Sequence, residues 1–206
     1  MDFIKRLFIL LGGLIIAHLG VTFFLLSNLG SDPFNVFIQG LSHITNISHG
    51  ICHQIISFLI LIILFFTARN YVKAGTIVCM FFGGPIIDGF TFLLGNIITE
   101  ALPLPIRILI LCIGCVILAV GMTLVIKSDA GTGPNDLVGL VISEKLQKPF
   151  GICRVCIDLA FVLLGFFLGG TIGIGTIICA FLVGPVADRF MPVSERIVSN
   201  LLAKKK

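Results

Sequence analysis

Residues 75–90, GTIVCMFFGGPIIDGF, return one hundred positions later as residues 175–190, GTIICAFLVGPVADRF, with nine of sixteen positions identical. The likeness continues upstream of that block. Gly20, Thr22, Gly30, Pro33, Gly50, Ile51 and Cys52 recur 101 positions on as Gly121, Thr123, Gly131, Pro134, Gly151, Ile152 and Cys153. The chain is therefore one membrane domain made of two related halves, residues 1–100 and 101–206, and its fold must use one unit twice.

The solvent of that unit follows from its composition. Charged residues make up 12% of the chain and hydrophobic ones 57%, whereas a soluble domain carries about 25% charged residues. Apolar runs long enough to cross a bilayer are read at residues 7–27, 51–67, 74–98, 104–126, 152–168 and 172–187, three in each half. The expected fold is an all-α membrane protein of six transmembrane helices. The start, MDFIKRLFILLGG, has the basic end and apolar run of a signal peptide, but the run is too long and no AxA-like cleavage site follows, so it is expected to stay as the first span.

Seven cysteines, an odd number scattered through apolar segments, argue for buried thiols and against a disulfide framework. Two CxxC pairs, Cys112 with Cys115 and Cys153 with Cys156, fall at different depths of their spans and are not expected to share a metal. His43, His49 and His53 cluster around the start of the second span, yet interfacial imidazoles seldom gather a metal. No metal and no cofactor are expected. The chain also lacks GxSxG, HExxH and GxxxxGKS, and its lysines sit at span boundaries, which argues against an enzyme and against nucleic-acid binding.

Basic residues set the expected sidedness. With six spans and a cytoplasmic N-terminus, Lys5, Arg6, Arg69, Lys73, Lys127, Lys145, Lys148, Arg154, Arg189, Arg196 and Lys204 to Lys206 all fall on the cytoplasmic side, leaving only Arg107 outside. Both termini should be cytoplasmic. Three spans is an odd number, so the second half enters the membrane from the opposite face and the repeats are inverted, as in many secondary transporters. The terminal segment 192–206 has Val193, Ile197, Val198, Leu201 and Leu202 on one side and a lysine tail, the pattern of an amphipathic helix lying on the cytoplasmic surface.

Two motifs carry the candidate chemistry. GSDPFN in the first half matches GTGPND in the second, and proline after a capping residue starts a helix well because its missing N–H would be unpaired anyway. The helices opening there run about a dozen residues, too few for ~30 Å of hydrocarbon, so they are half-helices, re-entrant or interfacial. Their N-termini present free N–H groups and partial positive charge, suited to an anionic group of a solute. Candidate solute-binding residues are Gly30, Ser31, Asp32, Pro33, Asn35, Gly131, Thr132, Gly133, Pro134, Asn135 and Asp136. The same residues could equally do no more than cap their helices.

GGPIID at residues 83–88 and VGPVAD at residues 183–188 form the second motif. Proline removes a backbone hydrogen bond and clashes with the preceding turn, so kinks or breaks are expected at Gly84–Pro85 and Gly184–Pro185. Asp88 and Asp188 then sit beside loosened backbone. Asp88, followed by TFLLGNII, looks immersed and is the main candidate for carrying a proton or cation; Asp188, next to Arg189, also fits the end of its span. His18, midway along the first span, titrates in a range suited to coupling but also suits a structural hydrogen bond. Arg154 and Asp158, four apart, should pair on one helix face in a structural role.

The paired GxxP and GPxxD motifs, in a six-span chain of this length, resemble the bacterial YczE and YitT group of integral membrane proteins. Phe34 stands where the second half has Asn135, and Asp32 where it has Gly133. The resemblance covers nearly the whole chain and implies a bacterial plasma-membrane protein, without implying a substrate. The sequence reading is a small-solute transporter or exporter with its site between inverted repeats; the alternative is a membrane-embedded regulatory or assembly partner that moves nothing. Expected partners are the bilayer, a small solute and, as an open alternative, further copies of the chain. In a cysteine-free background, single cysteines at His49 and Glu100 should react with an impermeant thiol reagent from outside, and cysteines at Arg69, Lys148 and Lys204 should not. Outside labelling at position 69 or 148 would sink the inverted arrangement.

Overall fold

The computed structural model describes residues 2–203, which form eight α-helices and no strand. In chain order these are α1 (Asp2–Leu26), α2 (Pro33–Thr45), α3 (His49–Thr67), α4 (Ala74–Leu94), α5 (Leu104–Ser128), α6 (Pro134–Leu146), α7 (Phe150–Phe167) and α8 (Ile174–Ala203), with one 3-10 turn, Arg69–Tyr71, before α4. All but α2 and α6 are long and apolar enough to span a bilayer, six in number. At 13 residues α2 and α6 are about 20 Å long and cannot cross.

The duplication is written into the backbone. Left-handed conformations occur at Asn28 and Asp129, at Gly30 and Gly131, and at Asn46 and Gln147, each pair 101 positions apart. The first two pairs turn the chain from a long helix into a half-helix, and the third ends that half-helix. At Gly30 and Gly131, φ of 142° and 136° requires glycine, because an L side chain would meet its own backbone there.

Where the halves meet, α1 and α5 cross antiparallel with backbones in direct contact. Gly20 lies against Gly114 and Leu118, and Gly121 against Gly13 and Ala17. Between apolar helices in lipid there is no hydrophobic drive to associate, so close van der Waals approach at small residues supplies the adhesion. α8 packs on α5 through Leu111, Cys115, Met122, Cys179 and Val183. α4 packs on α1 through Leu10, Leu14 and Cys79. The halves also exchange one backbone bond each way: Gly75 N–H donates to Ala130 O and Gly175 N–H to Leu29 O, both at 2.8 Å.

One end of the bundle gathers the basic residues. Arg6 and Lys73 both pair with Asp129, Lys127 pairs with Glu195, Lys145 donates to Thr67 O and Lys5 to Leu202 O. The Asp129 and Glu195 carboxylates are largely exposed, so these pairs define an end more than they stabilise it. Arg107 sits at the other end, donating to Ser27 O and Asn28 O at 2.8 Å. Lys5, Arg6, Lys73, Lys127 and Lys145 thus share one end and Arg107 lies at the other, while Arg154 sits inside the bundle.

α4 runs unbroken through Gly84–Pro85 and α8 through Gly184–Pro185, so of the kink or break expected at each motif the break is absent. Proline costs its own N–H bond, but an interruption would strand further backbone groups where no water can satisfy them. Nor is the segment from Pro192 to Ala203 a separate surface helix; it continues α8, held to α5 by a buried Thr123–Ser194 hydrogen bond of 2.8 Å and by Lys127–Glu195. At 30 residues α8 is about 45 Å long, so it must project beyond the hydrocarbon. Lys204, Lys205 and Lys206 lie outside the described residues.

The crossing makes a sharp claim. A β-carbon at Gly20 would sit 2.5 Å from the Gly114 carbonyl oxygen, whereas one at Gly12 would meet nothing within 4 Å. Gly20→Ala should destabilise the folded protein by about 1–3 kcal/mol through overpacking, and Gly12→Ala should be neutral. Thermal unfolding of both variants in detergent checks this.

Candidate functional site

A cavity of about 260 Å³ lies where the halves meet, and all eight helices contribute to its wall. Asp32, the residue that caps α2, and the first turn of α6, Pro134, Asn135 and Asp136, bring both half-helix starts to it. The N-termini of the two half-helices therefore face one space. His18 of α1, His53 and Ser57 of α3, Cys79 of α4, Met122 of α5, Arg154 of α7 and Cys179 of α8 complete the polar and sulfur lining.

The first half-helix is capped by its own chain. Asn35 N–H donates to Asp32 Oδ1 at 3.2 Å, the Asn35 amide also donates to Asp32, and His49 Nε2 lies 3.2 Å from Asn35 Oδ1. A carboxylate thus already occupies the place where the sequence suggested a bound anion. Asp136, opposite, pairs with Arg154.

Arg154 is the centre of the polar network. Its Nε donates to Asp158 Oδ2 at 2.9 Å, its Nη1 to Asp136, and Nη1 also lies 3.8 Å from Met122 Sδ. Arg154 is 8% exposed and Asp158 fully buried, so both charges have left water and depend on each other. Asp158 Oδ1 and Asn135 Oδ1 are buried without a hydrogen-bond partner among the described residues. Two acceptors at or next to the cavity therefore lack donors.

Sequence reasoning brought some of these residues to the site and missed others. Asp32, Asn35, Gly133, Pro134, Asn135, Asp136 and His18 line the cavity. Pro33 is buried in the first turn of α2. Gly30 and Ser31 instead seat the start of α8: a β-carbon at Gly30 would meet Thr176, and Thr176 Oγ1 donates to Ser31 O at 2.5 Å. Gly131 and Thr132 face a second cavity of about 580 Å³ near Lys73, Lys127, Asp129 and Glu144. Asp188 lines that cavity too, but its Oδ1 accepts the Gly151 N–H at 2.7 Å and so caps α7. Asp88 lies outside both cavities; it is exposed on α4 with no hydrogen-bond or ion-pair partner among the described residues. The expected Arg154–Asp158 pair forms, but as part of the cavity wall.

The repeat register held the missing signal. Shifted by 101, Arg154 aligns with His53 and Asp158 with Ser57, which marks polar residues one and two turns into an apolar span in both halves. The three histidines near the second span do not converge: His53 faces the cavity and His49 meets Asn35. At the basic end, outside the spans, the Tyr71 hydroxyl donates to Glu144 at 2.7 Å, and that bond raises its pKa because the phenolate would face a carboxylate.

Six apolar spans around a polar central cavity define a multi-pass α-helical membrane protein. Residues 4–192 match the family of unknown function DUF6198, and the chain belongs to that family. It is 27% identical to the Bacillus subtilis uncharacterized membrane protein YczE over 194 residues, 94% of this chain and 88% of the relative. It is also 27% identical to YyaS of the same organism over 89% of this chain and 91% of the relative. An uncharacterized protein of Haemophilus influenzae is 28% identical over 94% of this chain and 86% of its own length. No solved structure matches.

Removing Arg154 should be severe. Arg154→Met leaves Asp136 and Asp158 without their cation and should cost about 3–5 kcal/mol. Neutralising both carboxylates in the same chain, with Asp136→Asn and Asp158→Asn, should restore part of that loss. Thermal unfolding of the single and triple variants decides it; equal stability of Arg154→Met and the parent protein would show that the network is not buried.

Proposed function

We propose that the protein is a small-solute transporter or exporter of the bacterial plasma membrane, built from two inverted repeats with both termini cytoplasmic, and that its cargo is a compact cation. The observation that carries this reading is the charge of the central cavity: Asp32, Asp136 and Asp158 at or beside its wall face a single guanidinium, Arg154, an excess of two carboxylates. In a low-dielectric interior such an excess must be met by protons or by a bound cation. A solute that donates hydrogen bonds would also satisfy Asn135 Oδ1. A volume of about 260 Å³ suits a small amine or a comparable organic cation better than a large drug-like molecule.

Support for inversion comes from the antiparallel crossing of α1 and α5, the corresponding helices of the two halves. The reciprocal bonds from Gly75 to Ala130 and from Gly175 to Leu29 fit a two-fold relation, as does the meeting of both half-helix starts in one space. A partner protein that moves nothing would be better served by a dry, close-packed centre. The proton is the natural counter-ion, because carboxylates that release a cation can take protons in its place.

A flux assay tests the reading. Sealed vesicles containing the purified protein, with a proton gradient imposed, should take up or release radiolabelled small amines, and Asp136→Asn should reduce that flux at least tenfold. Asp88→Asn, away from the cavity, should keep the cavity's affinity for the amine. Folded, vesicle-inserted protein that moves none of a panel of cations, or moves anions alone, would overturn the proposal.

A further inference from the structure

The two halves repeat their glycines and their aspartate but do not use them alike. In the second half α8 crosses α7 so closely that a β-carbon at Gly184 would lie 2.5 Å from the Gly151 carbonyl oxygen, and one at Gly151 would lie 2.5 Å from Asp188 Oδ2. One turn on, Asp188 accepts the Gly151 N–H at 2.7 Å. Each of these residues has its counterpart in the first half: Gly50 for Gly151, Gly84 for Gly184, Asp88 for Asp188. There, a β-carbon at Gly50 or at Gly84 would meet nothing within 4 Å, and Asp88 has no partner among the described residues.

The difference runs along α3 and α4, which barely touch, whereas α7 and α8 pack together. Where α4 begins, it is anchored as α8 is, by the matching bonds to Ala130 and Leu29. Further along, α3 and α4 stand apart around an apolar groove of about 580 Å³, between Ile55, Phe58 and Leu59 on one side and Met80 and Phe81 on the other. At Gly83 α4 meets α1, with His18 Nε2 2.8 Å from where a β-carbon would be, and beyond it Ile86 packs on the α1 cluster and Ile87 lines the cavity. Pro85, between them, loosens the helix. A glycine pair in open space has no packing reason to be glycine. A carboxylate on an exposed face amid FTFLL has no partner to offset its desolvation in lipid.

We propose that α4 moves onto α3, so that Gly84 crosses Gly50 and Asp88 accepts the Gly50 N–H, and that this closure alternates with separation of α8 from α7. The structure then holds one of two related states, closed at the α7–α8 pair and open at α3–α4. Both contacts use the same chemistry, a glycine crossing and a carboxylate cap on a helix start. The central cavity lies between them, and His18 touches both the cavity and α4 at Gly83. The motion stands on the geometry of the two halves and needs no assumption about cargo.

Distance measurement tests it directly. In full-length, cysteine-free protein in lipid vesicles, spin labels at Ser48 and Thr91, on the free ends of α3 and α4, should give two distance populations, one matching the structure and one shorter. Gly84→Val, which fits the open arrangement, should remove the shorter population while leaving the protein folded. A single long population in both proteins overturns the proposal. With the native cysteines retained, hydrogen exchange gives a second reading: Asp88→Ala should speed exchange at the start of α3 about threefold or more, as expected when a cap present part of the time is lost. Unchanged exchange there would equally overturn it.

Discussion

Contact between the backbones of α1 and α5 sets the spacing on which everything else depends. With glycine at positions 20, 114 and 121 the two helices approach until side chains no longer separate them. That leaves the flanking helices to close around a narrow centre. A wider crossing would pull the two half-helix starts apart. The bilayer enforces the arrangement, because it offers neither water for stray polar groups nor a hydrophobic force to hold helices together.

Polarity at the centre is then a matter of supply. Two half-helices deliver backbone starts and carboxylates, α3 and α7 deliver His53 and Arg154 from equivalent positions, and α1 adds His18. The halves have diverged here more than anywhere: histidine faces arginine, serine faces aspartate, and Asp32 faces Gly133 in the register of the duplication. One half thus contributes a carboxylate capped by its own helix, Asp32, and the other a buried ion network. A site made this way is asymmetric even though its frame is duplicated.

Divergence also shows in packing. His18 lies against Gly83 in one half, while Ala119 and Val183, the corresponding residues, are both fully buried in the other. Bulk has been moved from one partner to the other. That exchange frees a titratable side chain to reach the cavity while keeping the volume filled.

Much of this was legible in the chain itself. The apolar runs give six spans because a bilayer has a fixed thickness. The duplication gives two copies of one unit, and glycine with proline gives the short helices, since both act through backbone geometry that needs no neighbours. What no single stretch could decide is which polar residues meet. Arg154 looked like a boundary charge paired to Asp158 four residues on, and Asp88 looked like the immersed carboxylate. Only the packing of α6 on α7 and the placing of α4 put Arg154 against Asp136 and left Asp88 outside the cavities. Local sequence fixes what a helix is and where it starts, because those energies are local. Which faces are brought together depends on packing between segments far apart in the chain, and that is a property of the tertiary structure alone.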